Sequence, residues 1–216
     1  MLYDIVKRII DIVASIILII IFSPIMILTS IIIKLTSKGP ALVEPTNSHM
    51  KRIGKNGKIF RLFKFRSMPV NADNLLTHDP RFKKLYNEYK KSSFKLHDDP
   101  RVNKFGKFIR KYSIDETPQF FNVLKGDMSL VGPRPYHADE LVEQQKIYSG
   151  TEQFVRDTQT VKPGITGYWQ VSGRSNINFD KRIEMDALYA KRKSLLMDIF
   201  IILKTPFVMI SGKGAV

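Results

Sequence analysis

The sequence predicts an α+β fold, mostly helical. It has an N-terminal re-entrant membrane helix kinked at a Ser-Pro step, interfacial amphipathic helices and a small sheet beside a candidate site. Three observations predict it. Residues 12–33 contain no charged side chain. Later stretches set apolar and basic residues on opposite sides at helical spacing. Only a few short runs alternate apolar and polar residues or lie between turn glycines, which leaves room for little sheet. Residues 1–38 read as a membrane-anchoring helix-hairpin, and residues 39–216 as a cytoplasmic-face domain with membrane-surface helices.

Composition narrows the function classes. The formal charge is +15, from 35 Lys and Arg against 20 Asp and Glu. That excess suits a polyanionic partner: nucleic acid, an anionic membrane surface or phosphorylated substrates. Cysteine is absent, which excludes disulfides, thiolate metal sites and a cysteine nucleophile. The four histidines show no zinc-ligand spacing.

The apolar run IVASIILIIIFSPIMILTSIII spans 22 residues, roughly 33 Å as a helix and just enough to cross a bilayer. Proline at Ser23-Pro24 removes a backbone hydrogen bond near its middle. Lys7 and Arg8 precede the run, and Lys34 and Lys38 follow it. Basic residues favour the cytoplasmic side. A helix that enters and leaves by one leaflet satisfies both features; an ordinary kinked span is the alternative. Asp11 at the edge caps the helix or pairs with Arg8, and the sequence does not choose.

Lys51 to Arg66 contains seven basic residues and no acid. Asn56-Gly57 reads as a hairpin turn, and Ile59 to Phe65 then alternates like a half-buried strand. A solvated or lipid-facing surface explains Lys51 and Lys55 well. It explains Lys64 and Arg66 less well, because they share one strand face that ends at a loop. Asn71 to Leu96 is polar and helical in flavour. His78-Asp79-Pro80-Arg81 and His97-Asp98-Asp99-Pro100-Arg101 are similar turn signals. Val102, Phe105, Phe108, Ile109 and Tyr112 follow at helical spacing opposite Arg101, Lys104, Lys107, Arg110 and Lys111. This helix suits a membrane interface or a core.

Ser113 to Pro135 is the most informative stretch. Asp115 and Glu116 are adjacent. Thr117 and Pro118 read as N-cap and first residue of a helix that Gly126 stops. A brief strand, Ser129 to Val131, leads to Pro133-Arg134-Pro135, a stiff turn presenting an arginine. A capped surface helix with a loop is the plain reading. An acidic pair beside a held cation is the functional one. His137 to Tyr148 and Asp180 to Lys193 read as helices. VKPGITGYWQVSGR reads as loop-strand-loop, from which Gln170 and Arg174 project; an ordinary hairpin is the alternative. Leu195 to Ile210 is apolar but interrupted by Asp198, Lys204 and Pro206, so it suits a surface-lying membrane contact or a packed helix.

Together, KFRSM (64–68), DPR (99–101), SIDETPQFFNVLKGDMSLVGPRP (113–135) and KPGITGYWQVSGR (162–174) resemble the bacterial sugar transferase family of monotopic phosphoglycosyl transferases. The resemblance covers almost the whole chain and implies an enzyme of the bacterial cell membrane's cytoplasmic face. Its reaction would move a sugar 1-phosphate, galactose or glucose by expectation, from a UDP-sugar to undecaprenyl phosphate, with UMP released. That is the first membrane step of exopolysaccharide or capsule synthesis. It further implies that Asp115 is the nucleophile of a covalent phosphosugar intermediate and that Glu116, with Asp115, holds Mg²⁺. Both substrates are anions, so a carboxylate nucleophile divides a repulsive encounter into two steps, and fixed cations must stabilise the diphosphate. Candidates are Lys64, Arg66, Arg101, Arg110, Arg134 and Arg174, with Gln119 and Gln170 as polar contacts. Anionic membrane lipids are expected partners and nucleic acid is not; a homo-oligomer is left open. The alternative class is a membrane-tethered nucleic-acid binder or scaffold without catalysis.

Overall fold

The computed structural model describes residues 2–43, 50–70, 72–91, 96, 99–173 and 177–211. Its first element, α1 (Leu2–Thr36), is a single helix with Pro24 inside it. The helix does not break at Ser23-Pro24, where the sequence predicts an interruption. Ser23 Oγ donates to Ile20 O at 2.8 Å, which helps re-satisfy backbone near a proline. Ala14, Leu18, Ile19 and Phe22 before the proline, and Met26 after it, also pack on the body of the protein.

One stripe of α1 faces that body over its full length, and the opposite face exposes Ile9, Val13, Ile17, Ile20 and Ile27. Exposed apolar surface of that extent marks an interaction with lipid or protein. By length and composition, α1 is able to cross a membrane. Both ends are tied down. Tyr3 and Lys7 donate to Asp198 at 3.0 and 2.9 Å, while Ile33 packs with Phe65 and Ile109. Asp11 neither caps the helix nor pairs with Arg8. It is buried and accepts from Ser129 Oγ and the Leu130 N–H, both at 3.0 Å.

The predicted hairpin forms from β1 (Lys51–Ile53) and β2 (Ile59–Arg61), antiparallel. A 3-10 turn joins them, with Asn56 and Gly57 at φ 56° and 73°. The polar segment gives α2 (Ala72–His78) and α3 (Lys83–Lys91). The amphipathic segment gives α4 (Lys104–Lys111), capped by Asn103, which accepts from the Gly106 N–H. Ile109 of α4 is fully buried, whereas Phe108 is half exposed. Then come α5 (Gln119–Lys125), β3 (Ser129–Val131), α6 (Ala138–Ile147) and α7 (Glu152–Thr158).

The VKPGITGYWQVSGR segment contains the strand that its sequence predicts, but a helix follows it in place of the second loop. The alternative hairpin does not form: β4 (Gly164–Thr166) pairs parallel with β3, and α8 (Tyr168–Ser172) follows directly. Glycine permits this, because a Cβ on Gly132, Gly164 or Gly167 would collide with the facing backbone. Two helices complete the chain, α9 (Phe179–Arg192) and α10 (Leu195–Ser211). α10 turns Asp198 and Ile201 inward and leaves Leu196, Leu203, Phe207 and Ile210 exposed.

Three apolar clusters support this arrangement. The largest joins Phe60, Phe120, Val123, Leu130 and Ile201 with the middle of α1. A second gathers Tyr136, Leu141, Val155, Phe179 and Ile183. The third is Ile33, Phe65 and Ile109, with Ile114 against it. The Asp115-Glu116 pair lies between Ile114 of the third cluster and Phe120 of the first.

Candidate active site

The acidic pair sits on a short 3-10 turn, Ile114–Glu116, between α4 and α5. Ser113 enters it in the left-handed conformation, φ 55°, which is uncommon for a non-glycine residue and costs energy that its surroundings must meet. Thr117 does not cap α5 as its sequence suggests. Its hydroxyl donates back to Ile114 O at 2.8 Å, and α5 starts at Gln119, with Pro118 before it. Gly126 does end α5 as expected, at φ 88°, with its N–H donating to Asn122 O and Val123 O.

Lys64 reaches both acids. Its Nζ lies 2.8 Å from Asp115 Oδ2 and 3.5 Å from Glu116 Oε1. Asn122 fixes the strand that delivers it: buried on α5, it accepts from the Phe63 N–H at 2.8 Å and donates to Arg61 O at 2.6 Å. The Phe65 N–H donates to Asp115 O at 2.9 Å and completes the clasp. Asp115 is 2% exposed. Burial pushes its carboxyl above the usual range; Lys64 opposes this, Glu116 adds to it, and Arg110 opposes it. Arg110 is held by Ser67, to which its Nε donates at 2.8 Å. Asp115, Glu116, Lys64 and Arg110 therefore form one cluster.

The other predicted cations divide. Arg66 does not continue on the Lys64 face. It is buried and donates to Pro40 O at 2.8 Å and Ser37 O at 3.1 Å, clamping the chain where α1 ends. Arg101 is likewise engaged by the protein: it pairs with Asp99 at 2.6 Å, donates to Ala72 O and stacks on Tyr89. Gln119 is buried in the first turn of α5. Gln170 donates to Ile165 O at 3.0 Å and closes its own loop. Arg174 lies outside the described residues.

Arg134 belongs to a second cluster. Its backbone N–H and the Tyr136 hydroxyl both donate to Asp186 Oδ2 at 3.0 Å. Its guanidinium lies over Trp169 and Tyr136, with Glu140 Oε1 3.9 Å from Nε. Arg182 is almost fully buried among Tyr136, Trp169 and Phe179 and donates to Glu140 at 3.4 Å. Burial pushes the Asp186 carboxyl up to about 7, against the pull of the Arg134 N–H, Tyr136 and Arg182.

Arg52 links the clusters. It is buried, lies 2.9 Å from His137 Nδ1 and donates to Lys51 O. Burial and Arg134 push its guanidinium down, while Glu140, Tyr89 and Glu116 push it up; a guanidinium still keeps its charge at neutral pH.

Sequence reasoning missed Arg52, Glu140, Arg182 and Asp186. Arg52 neighbours apolar Ile53 on a short strand, so alternation would put the arginine on the outer face, whereas it is buried. The others sit on helices whose polarity hid an inward-facing charge.

Two carboxylates would serve a divalent cation in the first cluster; among the described residues no third histidine or acid joins them. Asp115 and Glu116 offer adjacent carboxylate oxygens, and the Lys64 ammonium already lies against both. Mg²⁺ takes one or two carboxylates plus substrate phosphates rather than an all-protein cage.

The bacterial sugar transferase family model matches residues 2–212. An undecaprenyl-phosphate galactose phosphotransferase of Salmonella typhimurium is 45% identical over 217 residues, covering 97% of this chain and 41% of that protein. The galactosyl transferase CpsE of Streptococcus agalactiae is 48% identical over 182 residues, covering 82% of this chain and 36% of its own. The exopolysaccharide production protein ExoY of Sinorhizobium fredii is 37% identical, covering 92% and 83% respectively. The chain thus spans roughly two fifths of the longer relatives and most of the shorter one. With the family pattern matched from one end of the fold to the other, this chain belongs to the bacterial sugar transferase family.

Proposed function

We propose that the chain transfers a sugar 1-phosphate from a UDP-sugar to undecaprenyl phosphate. In this reading an Asp115 oxygen attacks the phosphorus that carries the sugar. The bond from that phosphorus to the bridging oxygen breaks, and UMP leaves with the electron pair. An oxygen of undecaprenyl phosphate then attacks the same phosphorus, forms the lipid diphosphate-sugar and frees the Asp115 carboxylate. The supporting observation is the buried Asp115 carboxylate held 2.8 Å from Lys64.

Burial excludes water from an acyl phosphate, and Lys64 opposes the upward push of burial on the Asp115 carboxyl, favouring its ionised form. Lys64 and Arg110 offset charge on the diphosphate, and Arg134 does so from the stiff turn. Asp115 and Glu116 would hold Mg²⁺, which when bound neutralises charge on the phosphates. Galactose and glucose are the favoured sugars, because relatives named for galactose, N-acetylgalactosamine and glucose transfer all match. The step opens exopolysaccharide or capsule synthesis.

The ties of α1 to the body of the protein support one membrane arrangement. Its ends are bonded to one body, through Asp198 at one end and the Phe65 cluster at the other. A helix held so at both ends lies in one leaflet with both termini cytoplasmic, and the exposed apolar faces of α10 and α4 rest on the same surface. The carboxylates then meet a lipid phosphate at headgroup depth.

Incubation of the full chain with each UDP-sugar alone tests the chemistry by intact mass. A phosphosugar adduct is expected, and UMP release should become catalytic only with undecaprenyl phosphate. Turnover of a UDP-sugar with no adduct under any quench overturns the covalent step.

A further inference from the structure

A separate group of cations lies at the far end of α5 from the carboxylates. Arg8 of α1 donates to Val123 O at 2.6 Å and Leu124 O at 2.9 Å. Next to it, Gly126 carries no side chain. A Cβ there would stand 3.5 Å from both Arg8 Nη2 and Lys162 Nζ, so the glycine leaves a notch with a cation on each side. Lys162 is half-buried and, among the described residues, makes no hydrogen bond or ion pair. Burial, then Arg8 and Lys55, disfavour its charge; Asp11 and Asp127 favour it. Neither acid is free to serve it. Asp11 accepts from Ser129 and Leu130, and Asp127 pairs with Lys125 at 3.4 Å. Lys55 stands on the exposed hairpin turn.

The C-terminal carbonyls of α5 account for Arg8, since cations suit a helix end. They do not account for a second, half-buried ammonium beside it that lacks a partner among the described residues. An anion in the notch would. The place of the notch along α1 points to the anion's source. Arg8 lies one helical turn before the uncharged run 12–33, with Asp11 between them, and Ile5 and Ile9 near it in sequence are exposed. Where an apolar helix meets water, the anion at hand is a lipid phosphate.

We propose that Arg8, Lys162 and Lys55 bind the phosphate of an anionic bilayer phospholipid in the notch over Gly126. The site holds the start of α1 at headgroup depth. It is separate from the acceptor-lipid chemistry at Asp115, because α5 stands between them. The inference depends on α1 lying in a bilayer and is independent of the transfer reaction.

The test uses the purified full chain in a non-ionic detergent, doped with phosphatidylglycerol, with phosphatidylcholine, or with inorganic phosphate in the buffer. The readout is melting temperature, since a ligand that binds only the folded state raises it. Phosphatidylglycerol should raise it by about 3 °C or more, and phosphatidylcholine and inorganic phosphate should not. Lys162→Gln should remove at least half of that rise, Lys55→Gln a smaller part, and the double variant all of it. Lys181→Gln, at an exposed lysine paired with Glu184, should keep it. Lys55→Gln lies on an exposed turn, so it remains informative if Lys162→Gln is destabilised. Equal rises with both lipids, or full rises in the variants, overturn the site. An equal rise with inorganic phosphate overturns the lipid as its occupant.

Discussion

Asp115 and Asp186 are the same residue under nearly the same burial, at 2% and 0% exposure, and the protein handles them differently. Asp186 faces fixed dipoles, the Arg134 N–H and the Tyr136 hydroxyl. Asp115 faces the ammonium of Lys64, a flexible side chain that is 23% exposed. Fixed donors hold a shape, so Asp186 fixes the backbone of the Pro-Arg-Pro turn. A flexible cation balances a charge without fixing a shape. Burial alone therefore does not set the two carboxylates apart; the kind of partner does.

Four experiments bear on this contrast. The largest effect should come from Asp115→Asn, which keeps the shape and removes the proposed nucleophile. Sugar-phosphate transfer should fall by on the order of 10³-fold or more with no adduct by mass, and Asp186→Asn should retain the adduct. Lys64→Gln comes next. It leaves Asp115 buried beside Glu116 without its nearest cation, so transfer should fall by on the order of 10²-fold. The acid limb of its pH–rate profile should also move to higher pH, because the carboxyl would hold its proton longer. An unmoved limb would show that Lys64 does not set the ionisation of Asp115.

Asp186→Asn should act on stability. The folded protein keeps the Asp186 proton up to about 7, whereas an unfolded chain releases it near ~4. Between these values the folded state binds more protons. The group's contribution to stability is therefore greatest at the acid end and declines as pH rises through that window, by on the order of 4 kcal/mol. Denaturant midpoints measured across it should fall in the wild type relative to Asp186→Asn. The smallest effect belongs to Tyr136→Phe. It removes one of the donors to Asp186 and should cost about 1 kcal/mol in denaturant unfolding, more at high pH than at low.

Much of the site was legible in the sequence because its geometry is local. Adjacent acids, a glycine helix stop and a Pro-Arg-Pro turn work over a few residues. Lys64 was found because alternation gave its face. The two Asp-Pro-Arg segments show where local reading ends. In both, the aspartate accepts from the arginine backbone N–H at 3.0 Å and pairs with its guanidinium at 2.6 Å. Yet the Arg81 side chain is 82% exposed and that of Arg101 is 4% exposed.

The sequence by itself determined the apolar helix, the charge, the hairpin turn and the acidic pair, because each follows from neighbouring residues. Only the tertiary structure decided which cations face the acids and which are drawn inward. It also decided that β4 runs parallel beside β3 and that Asp11 braces that strand. Those outcomes rest on contacts between residues far apart in the chain, where burial sets a cost that no local pattern records.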